Sequence, residues 1–353
     1  MKVPQIFDRN MKRLAFLDNA VSVGYSLEIN SLWTATFTLP ADDDKNAYCQ
    51  PLNFVEIFDG DERIDLFRII GEDLERFYDC EHVLATLLSD VLFQYHQYGG
   101  GGIKTADVLN YVLARQTTRN WVLGDCDFKR YFEYNWENST LLAALFAVPE
   151  CFDSEYMWTW DTTVYPWTIS LVAPSDTMKS EVRYAKNMTS MKKTVDASGI
   201  ANRIYALGYG EGVNQLTIAG VNGGKPYVED AMSIQQYGLC STILVDSRYE
   251  VAENLKGYAE QMLAELKNPY VSYEIGAIDL HRLTGDTFSK FRPGEIVRVV
   301  DEADGINLRT RIVSVEKSDA QGDPGSVTVT IANKSKDIAG SISELQNRAL
   351  INE

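Results

Sequence analysis

The sequence predicts a β-rich α+β chain built from several compact units, and three observations lead there. Short runs of alternating polar and apolar residues, closed by Gly, Asp, Asn or Pro, recur from Val21 to Ile331; a period of two puts one face of each run on a core and marks strands. Helical spacing is confined to a few stretches between these runs. The length of 353 residues exceeds what one core usually serves and points to roughly two to four units.

In chain order, Thr34, Thr36 and Thr38 alternate with Ala35, Phe37 and Leu39, so one face of this strand is apolar. Phe54 to Phe58 runs into an Asp59-Gly60 turn, and Leu66 to Ile70 returns as a second strand. Residues 1–78 are therefore assigned to a first β-barrel or sandwich. Cys80 to Phe93 fits two patterns: Val83, Leu84, Leu87, Leu88, Val91 and Leu92 suit a helix, whereas Cys80, His82, Leu84, Thr86 and Leu88 suit one strand face. Gly99 to Gly102 is a loop, after which Val108, Leu109, Val112 and Leu113 mark a helix that Thr105 can cap. Leu141, Leu142, Leu145 and Phe146 form a second helical face, ended by Pro149 because the residue before proline disfavours the α conformation. With the aromatic strands Trp121-Val122 and Tyr156 to Leu171, these make 79–185 an α+β outer unit.

A second β-barrel is assigned to 186–212 and 276–334, interrupted by a helix-containing unit over 213–275. Val251, Leu255, Tyr258, Met262 and Leu266 have the spacing of an amphipathic helix, begun near Asp246-Ser247 and ended by Asn268-Pro269. Ile296 to Val300, Thr310 to Val315 and Val327 to Ile331 read as a β meander with polar turns such as Asp323-Pro324-Gly325. Residues 335–353 read as a helical tail, with an exposed helix over Ile338 to Leu350.

Composition narrows the function. Lys+Arg 33 against Asp+Glu 50 gives a net charge of −17, which argues against gripping nucleic-acid phosphates or an anionic membrane surface. The N-terminus lacks the apolar core of a secretory signal and the richest apolar run, Leu141 to Val148, is too short to span a bilayer, so synthesis and folding in a cytoplasm are expected. The five cysteines are scattered without a CxxC pair and read as reduced, mostly buried thiols.

No enzyme signature emerges. Only three histidines are available, and no HExxH, GxSxG or P-loop occurs. His82 in Glu81-His82-Val83-Leu84 reads as a hydrogen-bonded structural residue. Cys126 or Cys151 paired with His96 would be the nucleophilic alternative, against the reading of inert buried thiols. Gly208-Tyr209-Gly210-Glu211-Gly212 lacks the glycine that opens a helix in a dinucleotide fingerprint, and Val213 to Ala219 reads as continuing strand. Asp42-Asp43-Asp44 lacks the alternating carboxylates of a calcium loop and reads as a solvated turn. No catalytic residue, cofactor or metal is assigned. The aromatic group Trp121, Tyr131, Tyr134, Trp136, Tyr156, Trp158, Trp160, Tyr165 and Trp167 reads as core and interface. If it contacts carbohydrate instead, Trp158 and Trp160, on one strand face, are the pair to be exposed.

The ordered series Ile200-Ala-Asn-Arg-Ile-Tyr-Ala-Leu-Gly-Tyr-Gly-Glu-Gly212, Leu216-Thr217-Ile218, Tyr227 to Asp230, Ser233 to Gly238, Asn268 to Glu274 and Pro293 to Asp301 resembles the prophage tail protein family. That family includes the N-terminal hub region of tail-associated lysins. The resemblance spans Asp18 to about Asn333 and departs at Glu295, where the family tends to show aspartate. It implies a fold like the baseplate hub of contractile phages, with two tail-tube-like β-barrels per subunit and α/β units inserted between and within them. It also implies a homotrimeric, pseudo-sixfold ring at the distal end of the virion's tail, joining a sixfold tube to a threefold tip. The implied neighbours are a distal tail protein ring above, a tape measure protein within, and a C-terminal fibre or lysin component. DNA would pass without specific binding, and the acidic excess would partly line the channel. Endopeptidase labels in this family imply a cleaving domain that would have to follow residue 353, so the chain itself is expected to be non-enzymatic. A peptidoglycan-targeting endopeptidase and a carbohydrate-binding receptor module are the rival readings.

Overall fold

The computed structural model describes residues 2–332 except 286, 287 and 289; the helix expected over Ile338 to Leu350 lies outside them. The first unit contains β1 (Gln5–Phe7), β2 (Arg13–Phe16), β3 (Val21–Glu28), β4 (Thr34–Thr38), β5 (Phe54–Asp59), β6 (Glu62–Glu72) and β7 (Phe77–His82). The alternation seen in sequence sends Val23, Phe37, Val55, Phe67 and Tyr78 into one core, where Phe37 stacks on Tyr78 at 4.8 Å. The unit extends past residue 78, since β7 pairs with β4 and β6 up to His82.

The outer unit follows with β8 (Val91–Gly99), α1 (Thr105–Leu113), β9 (Trp121–Cys126), β10 (Glu133–Thr140), α2 (Leu141–Phe146), β11 (Met157–Asp161) and β12 (Trp167–Val172). The doubly periodic segment after Cys80 divides: strand to His82, a 3-10 helix over Val83–Leu88, then β8. Thr105 is not the cap of α1. Lys104 holds the cap position, its backbone N–H donating to Asp107 Oδ2 at 3.2 Å. The Thr105 hydroxyl instead accepts from the backbone N–H of Arg130. Thr140 caps α2 through Ala143 N.

β13 (Met178–Arg183) and β14 (Met188–Asp196) open the second β unit. β13 pairs in parallel with a later strand of that unit, so residues 178–183 leave the outer unit to which the sequence reading gave them. Then come β15 (Arg203–Leu207), β16 (Tyr227–Glu229), α3 (Ala231–Tyr237), β17 (Ser241–Val245) and α4 (Ala252–Leu266). β15, expected in the second barrel, lies in a separate sheet of order β16-β15-β17, because its buried Ile204 and Ala206 face α4 and the outer unit. Val213 to Ala219 is not strand: short 3-10 turns occupy Gly212–Asn214 and Ala219–Val221, with one bridge from Leu207 to Thr217. Gly210 and Gly212 take positive φ, the left-handed region that glycine adopts without a Cβ penalty, whereas Gly208 does not. α4 begins at Ala252 rather than near Asp246, whose carboxylate is engaged by Arg248 at 2.7 Å.

The chain ends its described course with β18 (Tyr270–Ile278), α5 (His281–Thr284), β19 (Ile296–Asp301), β20 (Ile306–Lys317) and β21 (Ser326–Ala332) around a core of Val182, Ile275, Val297, Val299, Ile312 and Val329. The two β units share one 13-stranded sheet, ordered β14-β18-β21-β20-β3-β4-β7-β6-β5-β1-β2 with β13 and β19 branching from β20. The seam is β20 against β3, Ser314 to Lys317 opposite Glu28 to Tyr25. Among the described residues no pairing closes either unit into a barrel. In place of the two barrels expected from sequence, the described residues form two cores on one fused, β-rich sheet.

Gly24 shows how tight the seam is: a Cβ there would lie 2.8 Å from Ser318 O and from Thr36 Oγ1. Gly24→Val should therefore force the strands apart and lower stability by about 1–3 kcal/mol, the usual range for overpacking, read as a lower denaturant midpoint in chemical unfolding.

Candidate functional site

A cleft of about 340 Å³ opens where the first unit, β11 of the outer unit and the second unit meet. Its floor is ionic. Lys317 lies on the buried register of β20 with Val313 and Val315 and is 2% exposed. Its ammonium donates to Asp59 Oδ2 at 2.7 Å, Asp279 Oδ2 at 2.9 Å and the Pro324 carbonyl at 3.0 Å. Tyr25 Oη also donates to Asp59 Oδ2, at 3.0 Å. Asp59 comes from the first unit, Lys317 and Asp279 from the second, so a saturated buried cation ties one to the other. Burial, reinforced by Asp59, raises the Tyr25 phenol well above its ordinary pKa and keeps it a neutral donor.

A second tie crosses the rim. Glu62 on β6 receives Lys290 and, at 2.8 Å, Arg292 from the segment before β19. Burial pushes the Glu62 carboxyl up, but the two cations outweigh it and hold its pKa below the usual range. A third network joins β6 to the outer unit: Arg63 donates to Thr162 Oγ1 at 2.8 Å, and Thr162 in turn contacts Asp65. Asp65 sits beside the fully buried His82, Oδ2 to Nε2 3.4 Å. Burial raises the Asp65 carboxyl, and His82, Arg63 and Thr162 together overcome this to lower its pKa.

The sequence-singled residues have definite places. His82 is structural: Nδ1 accepts from Leu84 N at 3.1 Å, and its ring packs on Trp160 at 4.9 Å and Trp33 at 5.7 Å. Trp158 is 3% exposed and stacked on Phe146 at 5.5 Å, with its backbone N–H on Asn30 Oδ1. Trp160 is half-buried, 4.7 Å from Trp33. Both line the cleft, but as wall and wedge between units rather than as an open pair. His96 meets Tyr111 Oη and the Phe93 carbonyl. Cys151 is buried, its thiol pushed by burial up to about 11; burial raises Cys126 as well. Such thiols are protonated at neutral pH and poor nucleophiles. Among the described residues no group of three or more His, Cys, Asp and Glu side chains could hold a metal ion, and no helix is long and apolar enough to cross a membrane.

The residues that dominate the junction, Lys317, Asp59 and Asp279, were missed in sequence. One signal existed: Lys317 continues the inward alternation of Val313 and Val315, where a charge needs a partner. The arrangement clamps units together.

The description "Prophage endopeptidase tail" belongs to a family model matching residues 175–342, and "Prophage endopeptidase tail domain" to one matching 100–166. No curated protein matches the chain. Among solved structures, the fold is similar to prophage tail protein gp18 of Listeria monocytogenes, at 15% identity and TM-score 0.63 over 99% of this chain and 100% of that one. It is similar to a tail protein of Neisseria meningitidis at 11% identity and TM-score 0.65, covering 96% and 98%. It is also similar to the E. coli c3393 protein, described as a type VI secretion component resembling T4 tail proteins gp27 and gp5, at 10% identity and TM-score 0.50, covering 90% and 74%.

Lys317→Met should cost about 3–5 kcal/mol by taking the shared cation from two buried carboxylates, seen as a lower Tm; adding D59N and D279N should recover most of the loss. Asp65 has a folded pKa below its unfolded value, so its contribution is complete above about pH 4 and is lost as pH falls through the folded value. Asp65→Asn should accordingly flatten the acid limb of a stability–pH curve.

Proposed function

We propose that this chain, which belongs to the prophage tail protein family, is the structural hub of a tail tip. In this reading three copies close a ring at the distal end of the virion's tail, and each contributes two tail-tube-like β units that are barrel-like in the assembly. Six units around a threefold axis match the sixfold tube above to the tip below. The observation carrying the proposal is the fused sheet: two separate cores joined by the β3–β20 seam and the Lys317 lock, so both units of one chain are placed as a single body. A ring that must meet a sixfold surface with three chains needs that fixed spacing. The described resemblance of the E. coli secretion component to T4 tail proteins gp27 and gp5 supports the same reading.

The distal tail protein ring would sit above this hub, the tape measure protein within, and a fibre or lysin component at the C-terminal side. DNA would leave through the bore without specific contacts. The net charge of −17 suits such a passage if acidic side chains face it, because like charge keeps phosphates from sticking. Enzymatic cleavage has less support: the thiols of Cys126 and Cys151 are raised by burial and both His96 nitrogens are occupied.

Light scattering should give three times the 39.7 kDa chain mass for the chain alone, or three chains per complex once the mass of the added distal tail protein is subtracted, and purified protein should release no fragments from peptidoglycan. A monomer under both conditions would sink the ring; turnover lost on Cys151→Ser or His96→Ala would revive the enzyme.

A further inference from the structure

The fused sheet carries both cores on one side, and its opposite side changes character along the strand order. Over β5 and β6 that opposite side bears Phe54 and Leu66, which pack into the core of the outer unit. Over β19 and the first half of β20 it bears Arg298, Arg309 and Arg311, and the last two donate to the carbonyls of Asp176 and Ser175 on the chain leaving that unit. Between these parts the side is neither apolar nor basic. One register row runs Ser190, Gly276, Thr328, Glu316, Ser26 and Thr34 across β14, β18, β21, β20, β3 and β4, and the next runs Lys192, Glu274, Thr330, Ser314 and Glu28. Every one of these residues is exposed or half-exposed, whereas their alternates Ile275, Val329, Val315, Leu27 and Ala35 are buried in the two cores.

This composition is selective. A solvated sheet face in a chain with 33 Lys and Arg residues would ordinarily mix long side chains of both signs. Here hydroxyls and a glycine alternate with Glu274, Glu316 and Glu28; the one cation in the two rows is Lys192, and its ammonium lies 4.0 Å from Glu274 Oε2. The rows cross the β3–β20 seam without a break, Glu316 opposite Ser26 and Ser314 opposite Glu28, so the polar surface belongs to both units at once. Short neutral side chains give a passing chain little to catch on, and carboxylates repel phosphates where no spare cation holds them.

We propose that this face is the wall of the bore: each chain turns β14, β18, β21, β20, β3 and β4 toward the threefold axis and its outer unit away from it. This rests on the ring reading above and names the surface that the passing DNA meets. The test places one nitroxide label per chain, at Thr328→Cys on the face or at Glu253→Cys on the exposed side of α4, with Cys126 and Cys240, the two native thiols that are not buried, changed to serine. Unlabelled distal tail protein is added, light scattering counts the chains per complex, and pulsed electron spin resonance reads the distance between copies. In trimers the expected distance at Thr328 is the shorter of the two. Trimers in which Thr328 gives a distance equal to or longer than that at Glu253, or gives none, would overturn the wall and leave the ring standing. Labelled and unlabelled chains that both stay monomeric would overturn ring and wall together.

Discussion

The molecule depends on one buried contact between strands far apart in sequence. β3 and β20 pair antiparallel, and at the end of that pairing Lys317 reaches Asp59 and Asp279. Taking three charges out of water is costly, and apolar side chains of equal volume would hold two sheets together at least as well. What the ionic triad adds is direction: Lys317 is satisfied only when the seam is in register and the second unit stands at one place relative to the first. Gly24 lets the backbones approach closely enough for this to happen.

The remaining contacts close a circuit around the seam. Glu62 receives Lys290 and Arg292 from the second unit. Arg63, Thr162, Asp65 and His82 bind the first unit to the outer one. The outer and inserted units have no separate interiors: Tyr249 donates to the Cys151 carbonyl at 2.6 Å and Tyr258 to that of Glu150, and Phe54 and Leu66 of the first unit join the same core. Each unit is therefore restrained by at least two others.

Much of this was legible in sequence where structure is local. The alternation of Thr34 to Leu39, the face of Val108 to Leu113 and the meander from Ile296 to Ile331 each contain the period that decides them. The family resemblance was legible too, since the order of strand motifs after Ile200 is itself local information. What failed was partner choice. Arg203–Leu207 has the same alternation whichever sheet it joins, and only the packing of Ile204 and Ala206 against the outer unit decides. Thr105 looks like a cap, but Lys104 holds that position with its backbone N–H on Asp107. Trp158 and Trp160 share a strand face as expected, yet that face turns onto Phe146 and Trp33, which no spacing on β11 reveals.

The central claim is that one chain sets two β units side by side for a threefold ring. Electron cryomicroscopy of the chain bound to the distal tail protein tests it most directly. The account predicts three copies around one bore, with six β units facing the tube and the β3–β20 seam intact in every chain. Copies attached singly at the periphery, or a seam pulled open so that the two units of a chain lie apart, would contradict it.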